Sequence, residues 1–235
     1  MKVQITEIHG LRDSIRSLYM SKRSWGWWTE KVIENAVKRC VNADGSLTPY
    51  AWGDVEFNDF IKKLLKWGQI HPTLLRFIDI SAVVEGLHRG ATDDFDSHAR
   101  RLDNRIIRSS TRLATYGSEM SEWYMGKIIP LEAVVGDSAP DTIEANGRKF
   151  VRTCGGYVRE DLKDNKDVLR GLYSLAIPMN FTFKVNLPEL SHIYRLRRKG
   201  SGAAPELQEM MESLMDQLAE WYPWFDRDYV LGIEQ

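Results

Sequence analysis

Apolar and polar positions along the chain follow two repeats, one of two residues and one of three to four. The first is typical of a strand with one buried face, the second of an amphipathic helix. In the first half they predict a strand at residues 1–8, helices at 11–20, 30–40 and 58–67, and a strand at 78–84. The turn-rich residues 42–46 end the second helix, and Gly68 is expected to cap the third.

The second half begins with an arginine-rich stretch of helical period at residues 97–113. A hairpin is expected around the turn Asn146–Gly147, with residues 149–152 as one arm. The remaining predicted elements are a helix capped at residue 164 or 165 that ends before Pro178, a strand at 179–186, and helices at 187–198 and 206–222. Because helices and strands are intermixed, the pattern predicts an α+β or an α/β fold.

The strand at residues 179–186 alternates strictly between apolar and polar side chains. Successive side chains of a strand point to opposite faces, so one set is expected to face the core and the other the solvent. The inward set is Met179, Phe181, Phe183 and Val185, and the outward set is Asn180, Thr182, Lys184 and Asn186.

Composition changes this picture little. The 235 residues carry a formal net charge of −1, so we expect no overall attraction to nucleic acid or to an anionic membrane. No signal-peptide pattern and no apolar run long enough to span a membrane is present. Cys40 and Cys154 lack the spacing of a metal site or a disulfide framework, which suits a cytoplasmic protein.

Two clusters of side chains have both a structural and a functional interpretation. Trp25, Trp27 and Trp28 are more typical of a core or a subunit contact than of a ligand platform. A second group contains three aspartates and a histidine that could bind a divalent metal: Asp93, Asp94, Asp96 and His98. We favour a simpler interpretation, in which Thr92 caps a helix and the aspartates interact with its N-terminal dipole, and we expect no metal.

Four arginines in the predicted helix at 97–113 are spaced by four, three and four residues and would share one face: Arg101, Arg105, Arg108 and Arg112. A solvated face is one interpretation. The other is an anion bound across the stripe, because like charges on one face repel each other and guanidinium groups bind phosphate through paired donors. The spacing alone leaves both open.

A third group of polar residues lies in the last third of the chain: Arg170, Asn186, His192 and Arg197. Arg170 stands in the middle of a predicted helix, where a helix dipole gives no reason for a cation. Arg197 follows on a later helix. These two arginines predict a site that grips an anionic ligand.

The residues around this group resemble the flavin-dependent thymidylate synthases. The matching segments are Asp-Val-Leu-Arg at 167–170, Asn186, Leu-Ser-His-Ile-Tyr-Arg-Leu-Arg at 190–197, Pro-Glu-Leu at 205–207, Trp-Gly-Gln-Ile-His-Pro at 67–72 and Ser-Thr-Arg-Leu at 110–113. They keep the family's order, and the resemblance covers roughly residues 58–223. It implies a single α+β domain over residues 1–235, with a mixed twisted sheet flanked by helices.

The resemblance also implies an enzyme that is both a methyltransferase and an oxidoreductase. It would methylate dUMP to dTMP with methylenetetrahydrofolate as the carbon donor and NADPH as the electron source, through bound FAD. The family forms homotetramers with active sites shared between subunits. We therefore expect a cytoplasmic homotetramer, or one in the host cytoplasm if the source is viral, with a nucleotide as ligand and without nucleic acid as a partner.

Roles for individual residues follow from the same resemblance. Arg197 would be catalytic, because a permanent cation beside the uracil stabilises the anion formed at N3. The residues implied for the nucleotide are Ser110, Arg112, Arg170, Arg197 and Arg108, and those implied for the flavin are Asn186, His192, Arg100, Arg101, His98 and His71.

The chain departs from the family at its central signature, Arg-His-Arg followed by Ser-x-Arg-Tyr. Counting back from Ser110 gives Arg-Arg-Leu at 100–102, Leu113 replaces the tyrosine, and Gln69 replaces a histidine. Two alternatives stay open for this reason. One is a relative that modifies C5 of a pyrimidine nucleotide in another way, and the other is a non-catalytic protein that binds nucleotide or nucleic acid.

Overall fold

A four-stranded sheet forms the centre of the molecule. The computed structural model describes residues 1–97, 104–109, 138–153, 156–164 and 177–234. Strands β1 (Lys2–His9), β2 (Asp79–His88), β3 (Asn104–Arg108) and a long strand at Pro178–Asn186 lie in the order β1, β2, Pro178–Asn186, β3. Each neighbouring pair is antiparallel. The α+β class is confirmed, whereas the expected mixed sheet is wrong for the described strands.

A second sheet of three antiparallel strands contains β4 (Thr142–Ala145), β5 (Arg148–Thr153) and β6 (Gly156–Arg159). The hairpin predicted around Asn146–Gly147 joins β4 to β5, with both turn residues at positive φ, 52° and 69°. Asparagine and glycine tolerate this conformation better than other residues. The strand Pro178–Asn186 of the first sheet is therefore β7 in chain order.

The alternation predicted for β7 is confirmed at seven of its eight positions. Its apolar set is buried, and Asn180, Thr182 and Lys184 are exposed. Asn186 was expected to face outward but is buried, because it caps the following helix.

Two corrections concern the segment after β2. Residues 104–108 form a strand rather than part of a helix, with Ile106 opposite Phe183 of β7. Helix α4 (Arg89–Asp96) is capped by His88, and Thr92 lies inside it, fully buried, with its hydroxyl 3.2 Å from the His88 carbonyl oxygen. Thr92 is therefore not the cap, and the aspartates follow the first turn rather than opening the helix.

Three helices precede β2: α1 (Leu11–Ser21), α2 (Trp27–Cys40) and α3 (Val55–Ile70). They begin and end near the predicted positions, except that α3 is longer at both ends. Gly68 lies inside α3, so its predicted role as a cap is wrong. A Cβ at Gly68 would meet the Leu75 side chain at 2.7 Å, so the glycine allows the short 3-10 helix Pro72–Leu75 to pack closely on α3.

After β7 the chain forms α5 (Leu187–Arg197), α6 (Pro205–Trp221) and α7 (Arg227–Leu231). The apolar stripe predicted for α6 is buried in the core. Helix α6 also lies along the edge strand β1, where the Gln217 side chain accepts a hydrogen bond from Ile5 N at 2.9 Å and donates one to Val3 O at 2.8 Å. This contact satisfies backbone groups that an edge strand otherwise leaves open.

The tryptophan cluster is not part of the core. Trp27 and Trp28 are 80% and 79% exposed at the start of α2, so only the subunit contact remains of the two structural interpretations, as a prediction. The helix predicted between residue 164 and Pro178 lies almost wholly outside the described residues. In the part of the chain that the structure describes, no helix is both long and apolar enough to cross a membrane.

Candidate functional site

The last turn of α4 holds Arg197 at the end of α5. One terminal nitrogen of its guanidinium, NH2, lies 2.9 Å from Asp94 Oδ1, 3.1 Å from the Asp94 carbonyl oxygen and 3.3 Å from Ser97 Oγ. The side chain is only 18% exposed. Three acceptors therefore lie around a single nitrogen of Arg197, the residue for which the family resemblance implied a catalytic role.

The rest of the Arg197 guanidinium keeps donor capacity. Its Nε is buried and has no hydrogen-bond partner among the described residues. A buried donor without a partner costs free energy, about 1–3 kcal/mol, which makes this Nε a candidate contact for a ligand. Because Asp94 orients NH2, the side chain is held in place before any ligand arrives.

The neighbouring aspartates of α4 hold Arg108, another predicted ligand-binding residue. Its guanidinium forms an ion pair with Asp93 and lies 3.5 Å from Asp96, while Arg89 lies 3.8 Å from Asp93. The acidic run at 93–96 thus supplies counter-charges to arginines from β3 and α5. No metal-type group of three or more acidic, histidine or cysteine side chains occurs among the residues described.

Asn186 lies at the opposite end of α5 from Arg197. Its Oδ1 accepts a hydrogen bond from Glu189 N at 2.9 Å and caps the helix. The two residues are eleven positions apart, which places their Cα atoms roughly 16 Å apart along the helix axis. The predicted flavin contact at Asn186 and the predicted base contact at Arg197 therefore extend from opposite ends of α5. His192 lies between them on α5, partly exposed.

His71 lies elsewhere, at the C-terminal end of α3. Its exposed ring stacks parallel to Trp67, with centroids 6.0 Å apart and planes 6° apart. Gln69, which stands where the family has a histidine, donates from Nε2 to the Tyr229 carbonyl oxygen at 3.0 Å. That substitution therefore ties α3 to α7.

Six of the predicted site residues lie outside the described residues, and their roles stay predictions: Ser110, Arg112, Arg170, Arg100, Arg101 and His98. The contact predicted between Arg170 and an anionic ligand belongs to this group. The structure describes the part of the candidate site around α4, β3 and α5.

Sequence reasoning missed two partnerships. Asp94 was noticed as part of an acidic run and Ser97 as the start of the arginine-rich stretch, but nothing local in the sequence indicates that they contact a residue about a hundred positions away. Glu206, matched to the family's helix-opening glutamate, is fully buried and accepts a hydrogen bond from His88 N at 3.0 Å. The same Glu206 oxygen also contacts the His88 ring nitrogen Nδ1, so the pair fixes the start of α6 against the end of β2.

Two open cavities lie away from these residues. One of about 770 Å³ is lined by Lys38, Arg39, Thr48, Pro49, Tyr50, Gly53 and Asp54. Another of about 530 Å³ is lined by Lys199, Pro205, Gln208, Glu209, Glu212, Ser213 and Asp216. Neither cavity is lined by a predicted site residue.

Three solved structures that share this fold are enzymes with a nucleotide bound. The flavin-dependent thymidylate synthase ThyX of Helicobacter pylori, complexed with FAD and dUMP, matches 97% of this chain and 99% of its own, with a TM-score of 0.57 and 12% identity. A second structure of that protein with FAD and dUMP matches at 0.57 and 13% identity, over 98% and 100% of the two chains. The UMP/dUMP methylase PolB of Streptomyces cacaoi, bound with 5-Br dUMP, matches at 0.56 and 11% identity, over 95% and 92%.

At the level of sequence, no curated protein matches the chain. The family model described as thymidylate synthase complementing protein, Thy1, matches residues 26–224. That match covers most of the chain and includes the α4, β3 and α5 residues of the candidate site. The low identities to the solved structures make it a divergent member. The chain belongs to the Thy1 family of flavin-dependent thymidylate synthases.

Proposed function

We propose that this chain is a flavoenzyme that methylates dUMP to dTMP, with methylenetetrahydrofolate as carbon donor and NADPH as electron source. The observation that carries the proposal is the setting of Arg197. Its guanidinium is oriented by Asp94 and Ser97 and keeps a buried, unpartnered Nε. A preorganised cation with a free donor is suited to a ligand atom that gains negative charge.

Arg197 would act on the uracil ring. When the ring loses its N3 proton, the negative charge spreads to the ring oxygens, and a fixed guanidinium stabilises that anion relative to the neutral ring. Because Asp94 already orients the side chain, little reorganisation is needed when the charge develops. Arg108 would place a second positive charge beside the nucleotide. For this, the nucleotide would displace Asp93 and Asp96 from the Arg108 guanidinium or bind to it together with them.

FAD, when bound, would supply the redox chemistry. Asn186 fits a flavin contact, because its Oδ1 is used as a helix cap while its amide nitrogen has no partner in the described ranges. His192 and His71 are the other described residues proposed for the flavin. Ser110, Arg112 and Arg170 are proposed for the sugar and phosphate, and Arg100, Arg101 and His98 for the flavin.

The distance along α5 is consistent with active sites shared between subunits. The Cα atoms of Asn186 and Arg197 lie roughly 16 Å apart along the helix axis, so one chain's nucleotide contact and its flavin contact could serve different sites of a homotetramer. The exposed Trp27 and Trp28 offer apolar surface for a subunit contact. We propose a cytoplasmic homotetramer on these grounds.

A second candidate function is supported by the likeness to PolB, which is described as a UMP/dUMP methylase. The two kinds of structure match equally well, and the altered residues, such as Gln69 and Leu113, belong to the family's signature motifs. The chain would then methylate C5 of a pyrimidine nucleotide other than dUMP, with UMP as the first to test.

Purified protein tests both functions. A flavin absorbance band that survives gel filtration after incubation with FAD supports a flavoenzyme. Tritium release from C5-labelled dUMP that depends on methylenetetrahydrofolate and NADPH supports dTMP synthesis, and preferential release from C5-labelled UMP supports the alternative. A colourless protein that takes up no FAD and releases no tritium from either nucleotide contradicts both.

A further inference from the structure

A group of lysines surrounds two aromatic rings where α1 meets α3. Lys22 Nζ lies 4.3 Å from the centroid of the Trp67 ring, and Lys66 Nζ lies 5.9 Å from the same ring. Lys63 Nζ lies 5.7 Å from the Tyr19 ring centroid and 3.2 Å from its hydroxyl oxygen. We call these five residues the basic–aromatic patch. None of them belongs to the α4–α5 site described above.

The core holds this patch in place. The Tyr19 ring packs edge-to-face on buried Phe60, with centroids 5.6 Å apart and planes 86° apart. Lys63, Lys66 and Trp67 follow Phe60 at helical spacing, which brings them to the side of α3 that faces the end of α1. The rings and ammonium groups are therefore arranged before any partner binds.

The lysines of the patch are not held in ion pairs. In the part of the chain that the structure describes, no carboxylate forms an ion pair with Lys22, Lys63 or Lys66. The neighbouring exposed cations Arg23 and Lys62 are likewise without such a partner there, and Asp59, one turn earlier on α3, forms no ion pair with either of them in the described part of the chain. Several arginines in other parts of the described chain do pair with carboxylates: Arg16, Arg39, Arg108, Arg197 and Arg227.

This combination fits one class of ligand best. Proteins that bind single strands combine cations that follow the phosphates with aromatic rings on which unpaired bases stack. Here the Trp67 ring already stacks parallel to the exposed His71 ring, which extends the stacking surface by one layer. We propose that the basic–aromatic patch binds single-stranded nucleic acid.

An anionic membrane surface fits less well. Membrane-surface helices present a continuous apolar face beside their cations. The exposed positions of the second half of α3 are instead lysines, with Ile70 at its end.

The near-neutral chain as a whole predicts little attraction to nucleic acid, so binding at the patch would be local and strongly dependent on salt.

The test uses the full chain and a fluorescent 20-nucleotide oligo-dT in anisotropy titrations at several salt concentrations. We expect measurable binding at low salt. Lys22→Ala/Lys66→Ala should weaken it about tenfold and reduce the slope of log Kd against log salt by about 1 to 1.4, since each lost phosphate contact contributes about 0.7. Lys2→Ala/Lys31→Ala, which removes two exposed lysines that form no ion pair among the described residues, is the matched control and should change Kd less than twofold.

Three results would overturn the proposal. The first is no binding of oligo-dT by the unmodified chain at low salt. The second is an equal loss in both double variants, which would mean that charge alone, and not this patch, attracts the strand. The third is binding to vesicles of phosphatidylserine and phosphatidylcholine that depends on Lys22 and Lys66 while oligo-dT binds no better than a neutral polymer. Unchanged circular dichroism of both variants verifies that they fold.

Discussion

At the scale of single residues, the candidate site depends on which guanidinium nitrogens of its arginines are already hydrogen-bonded to the protein. Arg197 gives one terminal nitrogen to Asp94 and Ser97 and keeps Nε without a partner. A carboxylate this close has two opposite effects on an anionic ligand. It orients the guanidinium, and it also lowers the positive potential that the ligand meets.

Asp94→Asn separates these two effects, because asparagine keeps an acceptor oxygen but removes the charge. We expect the affinity for dUMP to rise about fivefold, which corresponds to roughly 1 kcal/mol of removed repulsion at a partly exposed site. Calorimetric titration measures it. Asp59→Asn on α3 makes the same charge change far along the chain and should leave Kd unchanged. Weaker binding in Asp94→Asn would show that the charged anchor matters more than the repulsion.

At the scale of elements, close packing explains a glycine that the sequence suggested as a helix end. Gly68 lies within α3, and the Leu75 side chain occupies the space where a Cβ would be, with Cδ2 at 2.7 Å and Cγ at 2.8 Å. Leu75 is fully buried, so it has little room to move.

Gly68→Ala should therefore destabilise the protein by about 1–3 kcal/mol, as overpacking in a core does. Urea unfolding measures the change. The expected cause is contact with Leu75, so the cost should shrink markedly in a Leu75→Ala background. An equal cost in both backgrounds would contradict the packing explanation. Gly26→Ala is a control, since nothing lies within 4 Å of its Cβ position.

An ion pair between α1 and α2 gives the fold a pH dependence at low pH. The Arg16 guanidinium donates from Nε to Glu30 at 2.7 Å, and this contact lowers the pKa of Glu30 from 4.5 to about 2. Because the folded pKa lies below the unfolded value, this stabilisation is complete above about pH 4.5 and is lost as the pH falls toward 2.

We expect Glu30→Gln to lower the free energy of unfolding by about 1–2 kcal/mol at pH 6 and by much less at pH 2.5. Urea unfolding at the two pH values tests this. A difference between variant and parent that stays constant with pH would mean that the charge of Glu30 is not what stabilises the contact.

Sequence patterns predicted most elements because their periodicity is local. The alternation in β7 and the apolar stripe of α6 are each determined by neighbouring residues, and both are confirmed. The arginine spacing at 101–112 also fits a helix, yet residues 104–108 form a strand. Ile106 and Ile107 favour a strand, and pairing with β7 decides the outcome, which local spacing does not reveal.

At the scale of the whole molecule, the order of weak motifs predicted the family and the α+β fold, both of which are confirmed. The arrangement of the site could be predicted only in part. Arg197, Arg108 and Asn186 were named from motifs. The contact between Asp94 and Arg197 was not, because it joins positions 103 residues apart and depends on how α4 and α5 meet.

The most direct test of the central claim is the binding of dUMP to the protein incubated with FAD, measured by calorimetry. If Arg197 grips the nucleotide, Arg197→Ala should raise Kd roughly 10- to 100-fold, the cost of losing a charged hydrogen-bond donor. The adjacent, exposed Arg198→Ala is the matched control and should stay within about twofold of the unmodified chain. The same Kd in all three proteins would contradict the account.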